Sequence, residues 1–197
     1  ISNLNVANVR ATVTAKYNGK NTPGGFKGNI VLAKGCINEL NISSGRIEIN
    51  RKKNKNIFSG NICVGDKGIL ACSGECNDNS ITGGFTLNGM KFNELPWDYF
   101  KEWHGSAIME GKIEGQMKKP IISAKFTSSN FNIGSKEVKT LNGTLYYASH
   151  ILLVDAVFDN EFFFSGMLGE ETKAWIKIEK GILSLLSRVL KFPPLWL

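Results

Sequence analysis

The chain has 197 residues, among them 21 Gly but only 5 Pro, and its 24 basic against 17 acidic side chains leave a net charge of +7. That length suits one ordinary domain, and the glycine excess points to turns and bulges between strands rather than to packed helices. No run approaches the roughly 20 apolar residues that a helix needs to cross a bilayer, and no basic-then-apolar leader opens the chain, so any membrane attachment is expected outside it or at an interface.

The opening, NLNVANVRATVTAKY, already alternates like a strand, as expected for a piece of a longer protein or a matured product. GFKGNIVLAKGCINELNISSGRIEI continues the pattern, with Gly, Asn and Ser breaking it at about eight- to twelve-residue intervals. The densest basic run, Arg51, Lys52, Lys53 and Lys55, reads first as a solvated turn and alternatively as a contact for nucleic acid or anionic lipid.

Next come the four cysteines, Cys36, Cys63, Cys72 and Cys76. Turns at Gly65–Gly68 and Asn77–Ser80 would make hairpin partners sum to about 133 and about 157, so that Leu70, Cys72, Gly74 and Cys76 face Ile81, Gly83, Phe85 and Leu87, with Cys63 on the same face. Among such neighbours a free thiol behaves as a small hydrophobe. Cys72 and Cys76 are about 13 Å apart on one extended strand and cannot bridge; a cross-strand Cys63–Cys72 disulfide stays open. C-x8-C-x3-C lacks paired C-x2-C spacing, so no metal is expected.

The segment NELPWDYFKEWHG, residues 93–105, is too aromatic for a solvated loop, with Leu95, Trp97, Tyr99, Phe100 and Trp103. It is expected to be a short helical or irregular insertion whose aromatics cover one rim of the sheet while Asp98, Lys101 and Glu102 meet water. Beyond it, a strand over Ile121–Phe126 opens at Pro120, where no interior ladder bond is lost. Leu141, Gly143, Leu145 and Tyr147, then Leu152, Val154, Ala156 and Phe158, alternate with polar neighbours around a turn near Ala148–His150, and Phe162–Phe164 forms a continuous apolar run. At the end, Ile182, Leu185, Leu186, Val189 and Leu190 fall at helical spacing before Pro193 and Pro194. This predicts an amphipathic helix of about three turns, capping the sheet, contacting another segment or lying on a membrane surface.

The predicted organisation is thus an all-β, elongated, curled antiparallel β-meander over 1–180 with an aromatic insertion near 93–105, then a C-terminal helix and tail over 181–197. A sheet with one continuous apolar face must curl, stack or hold something. GKIEGQMKKPIISAKFTSSNFNI followed by VKTLNGTLYYASHILLVDAVFDNEFFFSGMLG resembles the repeated unit of the AsmA-like and TamB family. The matching positions are Gly111, Ile113, Gly115 and Pro120, then Leu141, Gly143, Leu145 and Tyr147, then Leu152, Val154, Phe164 and Gly166. The resemblance implies a taco-like trough with an apolar interior, inside a longer protein of the cell envelope and periplasm that is often anchored in the inner membrane. It also implies that the trough carries phospholipid acyl chains between membranes. Neighbouring β-repeat segments and an outer-membrane protein are the implied partners.

The candidate wall consists of Cys63, Leu70, Cys72, Phe85, Leu87, Ile113, Leu141, Leu145, Leu152, Val154, Phe158 and Phe164. Such a wall offers acyl chains about 0.8 kcal/mol per buried methylene without directional contacts. The alternative for the same residues is a closed core in a structural or adhesive module.

No cofactor or catalytic site is expected. Asp155 and Asp159, on one predicted strand, would lie about 13 Å apart, too far for paired-carboxylate chemistry. His104 and His150 lack a nucleophile and carboxylate in a recognisable motif, no phosphate-binding glycine loop opens a helix, and no aromatic platform accompanies the lysines as nucleic-acid binding would require.

Overall fold

In the computed structural model the described residues are 2–6, 9–22, 25–37, 40–52, 54–95, 101–160, 162–168 and 173–178. They form the strands β1 (Ser2–Val6), β2 (Val9–Thr22), β3 (Gly25–Ile37), β4 (Leu40–Lys52), β5 (Lys55–Val64), β6 (Gly68–Cys76) and β7 (Ser80–Lys91). A single 3-10 turn, Phe92–Glu94, leads to β8 (Trp103–His104) and β9 (Ser106–Gln116). The remainder are β10 (Lys119–Ile133), β11 (Lys136–Ala148), β12 (Ile151–Phe158), β13 (Phe162–Leu168) and β14 (Lys173–Ile178). All belong to one 14-stranded open sheet that follows chain order, except that β8 pairs off the path with β10. The expected antiparallel meander is the observed fold. The expected C-terminal helix and tail, residues 181–197, lie outside the described residues, as do residues 96–100 of the aromatic insertion.

Directly opposed residues share a face, so the ladder defines two faces across the whole sheet. One row runs Tyr17, Ile30, Ile47, Gly60, Cys72, Phe85, Gly111, Ala124, Leu145, Val154, Gly166. Its neighbours along each strand at i±2 are again mostly apolar or Gly, and this is the apolar face. The alternate residues, such as Arg46, Ser59, Ser73, Thr86, Lys112 and Lys125, make the opposite face polar across β4–β10.

Turn chemistry sets this register. Between β6 and β7, Cys76 pairs with Ile81, and the Asn77 side chain accepts bonds from the Asn79 and Ser80 N–H groups at 2.9 and 2.7 Å, an Asx turn that fixes the hairpin. Between β5 and β6 the closing pair is Val64 with Gly68, one residue off the predicted register. Gly65 takes φ +60°, and Glu94 Oε2 accepts from the Asp66 N–H at 3.2 Å, tying this turn to the 3-10 segment. In β7 the pairing to β9 shifts between Leu87 and Met90, with Gly89 at φ +73°. This bulge returns Met90 to the apolar face, where it is buried.

The core lies at one end of the apolar face. Phe131 and Val138 are fully buried, and Phe92, Ile133, Leu141, Ala156 and Phe158 join them. On both β10 and β11 the buried positions step by three here, Ser128 to Phe131 and Val138 to Leu141, and the ladder skips the Asn130–Lys139 pair. The alternation therefore changes phase on both strands together, which keeps Phe131 and Val138 on the core side. Phe92, just before the insertion, and Trp103 within it close over them, with ring centroids 5.2 Å and 5.8 Å from Phe131. Leu95 packs beside them, while Lys101 and Glu102 are exposed, as the sequence predicts for the rim cover.

Candidate functional site

The structure brings Leu70, Cys72, Phe85, Leu87, Ile113, Leu141, Leu145, Leu152, Val154, Phe158 and Phe164 onto the apolar face. Leu70 opposes Leu87, Cys72 opposes Phe85, Leu145 opposes Val154, and Leu141 opposes Phe158. Cys63 is the exception. It pairs with Ile69 instead of Leu70, because the β5–β6 turn closes one residue earlier than predicted. With a side-chain period of two, that slip moves Cys63 to the polar face. A Cys63–Cys72 disulfide is thereby ruled out, since the two thiols point to opposite sides of the sheet, and all four cysteines are free. Burial among apolar neighbours pushes the Cys72 thiol above its ordinary pKa, so it remains a neutral hydrophobe.

Exposure divides the apolar face into two parts. Leu141 and Phe158 are buried in the aromatic cluster with Phe164 packed beside them, whereas Leu70, Cys72, Phe85, Leu87, Ile113, Leu145, Leu152 and Val154 are partly buried. The partly buried part is smoothed by aromatic rings lying over glycines on the next strand. A Cβ on Gly111 would overlap the Phe85 ring, and one on Gly143 would overlap the Phe126 ring. Each glycine permits this approach because it has no side chain to stand between ring and backbone. The sequence signal for it was present, a Phe in cross-strand register with a Gly, but only a known register makes it readable.

A broad, open concavity runs along the polar-face side chains of β4–β11. A cavity of about 1140 Å³ is lined by Arg46 and Glu48 of β4, Ser59 and Asn61 of β5, Ala71 and Ser73 of β6, Gly84 and Thr86 of β7, and Glu110 and Lys112 of β9. Ser123 and Lys125 of β10 with Thr144 and Tyr146 of β11 complete it, and the intervening row, Gly60, Cys72, Phe85, Gly111, Ala124 and Leu145, also lines it. So many adjacent strands can share one cavity only where the sheet bends toward its polar side. The apolar face closes over its aromatic cluster at one end, while the large concavity is lined by polar and apolar residues together, Cys72, Phe85 and Leu145 of the candidate wall among them. Curvature of this kind is collective and leaves no mark in any single strand's alternation.

The carboxylates and histidines are dispersed. Asp155 stands on the polar side of β12 beside the Ser165 hydroxyl, which donates to it. Asp159 is not on that strand; it occupies the following turn at φ +50° and accepts the Thr140 N–H at 2.7 Å, a structural role. His104 is on β8 and exposed, and His150 is in the β11–β12 turn. Among the described residues no three His, Cys, Asp or Glu side chains converge as a metal site, and no helix is long and apolar enough to cross a membrane.

The chain matches no family model, and no curated protein or solved structure shows significant similarity to it.

Proposed function

We propose that this chain holds or conducts phospholipid acyl chains along its apolar face, as one segment of a longer protein of the cell envelope. The observation that carries the reading is the row Cys72, Phe85, Gly111, Ala124, Leu145, Val154 and Gly166, apolar or Gly on every strand from β6 to β13 and partly accessible at Cys72, Phe85, Leu145 and Val154. From β6 to β13 it spans about 29 Å at the usual strand spacing, room for an extended acyl chain lying across the strands. Rings flattened over Gly111 and Gly143 remove the steps that would hold a chain in one place. Each methylene taken from water is worth about 0.8 kcal/mol, and the contacts have no direction, so a bound chain slides.

The closed aromatic cluster favours a second reading, a structural module. At the Phe131 end Phe92, Leu95 and Trp103 pack over this same face, which supports a protein segment as its cover. The two readings separate in a titration with a fluorescent fatty acid. The lipid reading predicts saturable binding that Leu145→Asp and Val154→Asp abolish in folded protein. A folded chain that takes up no probe supports the structural module and the envelope-assembly or protein-contact role that goes with it.

A further inference from the structure

The polar face is not uniformly charged. On β2–β5 it presents Lys16, Lys20, Lys27, Arg46, Lys52 and Lys55, all exposed. Lys20 stands directly opposite Lys27, and Lys52 directly opposite Lys55. Like charges in directly opposed positions destabilise a sheet. Two carboxylates answer them on this side: Glu48, 3.4 Å from Arg46, and Glu75, 2.7 Å from Lys55. Lys16, Lys20, Lys27 and Lys52 make no ion pair among the described residues. Within this basic array two apolar side chains stand out of the sheet, Val31 at 38% and Ile57 at 42% exposure, in the rows of Arg46 and Lys27 respectively.

We propose that this basic face of β2–β5 docks on a bilayer surface bearing anionic phosphate head groups. Charge complementarity names the class of partner, and the two apolar side chains choose within it. A two-dimensional array of lysines with aliphatic groups among them matches an interface where head-group phosphates lie above hydrocarbon. A nucleic acid would gain nothing from Val31 and Ile57, and the array presents no aromatic platform for bases. The docking face is opposite the apolar row, so it stands whether or not that row binds acyl chains. An anion between Lys20 and Lys27 also relieves their repulsion, which makes this pair the centre of the interaction.

The test is co-sedimentation of the full chain with vesicles of phosphatidylcholine, with and without phosphatidylglycerol, over a range of salt. Binding is expected only with phosphatidylglycerol and should fall steeply with salt. Lys20→Gln with Lys27→Gln should weaken it roughly thirtyfold. Lys118→Gln with Lys119→Gln, the same change of net charge at the β9–β10 turn, should leave it within about twofold of wild type. Circular dichroism checks that both pairs fold, and removing the Lys20–Lys27 repulsion gives no reason to expect otherwise. Equal binding to neutral vesicles, equal losses in both double variants, or displacement of vesicles by duplex DNA at equal phosphate concentration would each overturn the proposal. Leu145→Asp separates the two readings, since it should abolish fatty-acid uptake and leave vesicle binding intact.

Discussion

Phe131→Ala should be among the most damaging single substitutions in the chain. The ring is fully buried and contacts Phe92, Trp103 and Phe158 at centroid distances of 5.2, 5.8 and 6.5 Å. Emptying such a site costs about 3–5 kcal/mol, from lost transfer free energy and from the cavity left behind. Aromatic pairing adds about 0.5–1.5 kcal/mol to a contact of this kind. The loss should exceed the usual value for a simple apolar site for a second reason: Phe131 holds the insertion against the sheet, so its removal also frees Phe92 and Trp103. Urea unfolding followed by far-UV circular dichroism measures the midpoint and slope. A double-mutant cycle with Trp103→Ala should then return a coupling near 1 kcal/mol. A loss below about 0.5 kcal/mol, the level of an ordinary surface change, would mean that the insertion does not close this end of the face, and the account of the core would fall.

Other consequences concern the turns, the glycines and one lysine. Gly143→Ala should destabilise by roughly 1–3 kcal/mol, because its Cβ meets the Phe126 ring and the Asp155 carbonyl oxygen; adding Phe126→Leu should recover part of the loss in the same urea titration. Ser149 and His150 both have positive φ, 51° and 67°, between the closing pair Ala148–Ile151. Replacing them with Asn-Gly, which this two-residue turn prefers, should raise the thermal midpoint by an amount equivalent to about 1 kcal/mol. Mild oxidation should yield no Cys63–Cys72 bridge on peptide mapping, since the two side chains occupy opposite faces. The Glu94 contact, reinforced by Asp66, holds the Lys91 ammonium above its ordinary pKa. A raised folded value means the contribution is complete below the unfolded lysine pKa, about 10.4, and is lost as pH rises through the folded value. Lys91→Met should therefore flatten the alkaline limb of the stability profile and leave its shape near neutrality unchanged.

How much of this was legible beforehand depended on how firmly each turn declared itself. The hairpin at Asn77–Ser80 has an Asn whose side chain organises the turn, and its register, Cys76 with Ile81 and Cys72 with Phe85, follows from the sequence residue by residue. The alternation at Leu141–Phe158 was equally readable, because period-two patterning continues up to the Ser149–His150 turn. The β5–β6 turn was not. Gly65 and Gly68 bracket it, but the closing pair also depends on Glu94, distant in sequence, accepting the Asp66 N–H. One residue of error there placed Cys63 on the wrong face. The phase change at Asn130 and Lys139 was likewise hidden, since Phe131 and Val138 read by strict alternation as outward residues. The shared cavity and the basic array require all the registers at once. Their residues come from strands far apart in the chain, and each taken alone looks like the ordinary wet side of a sheet.

The central claim, that the apolar face holds acyl chains, is tested most directly by native mass spectrometry of the chain purified without detergent, followed by organic extraction. The account predicts co-purifying phospholipid that disappears from folded Leu145→Asp and Val154→Asp and persists in Lys20→Gln with Lys27→Gln. A lipid-free, monomeric and stable wild-type chain, or lipid retained equally by all these variants, would contradict it.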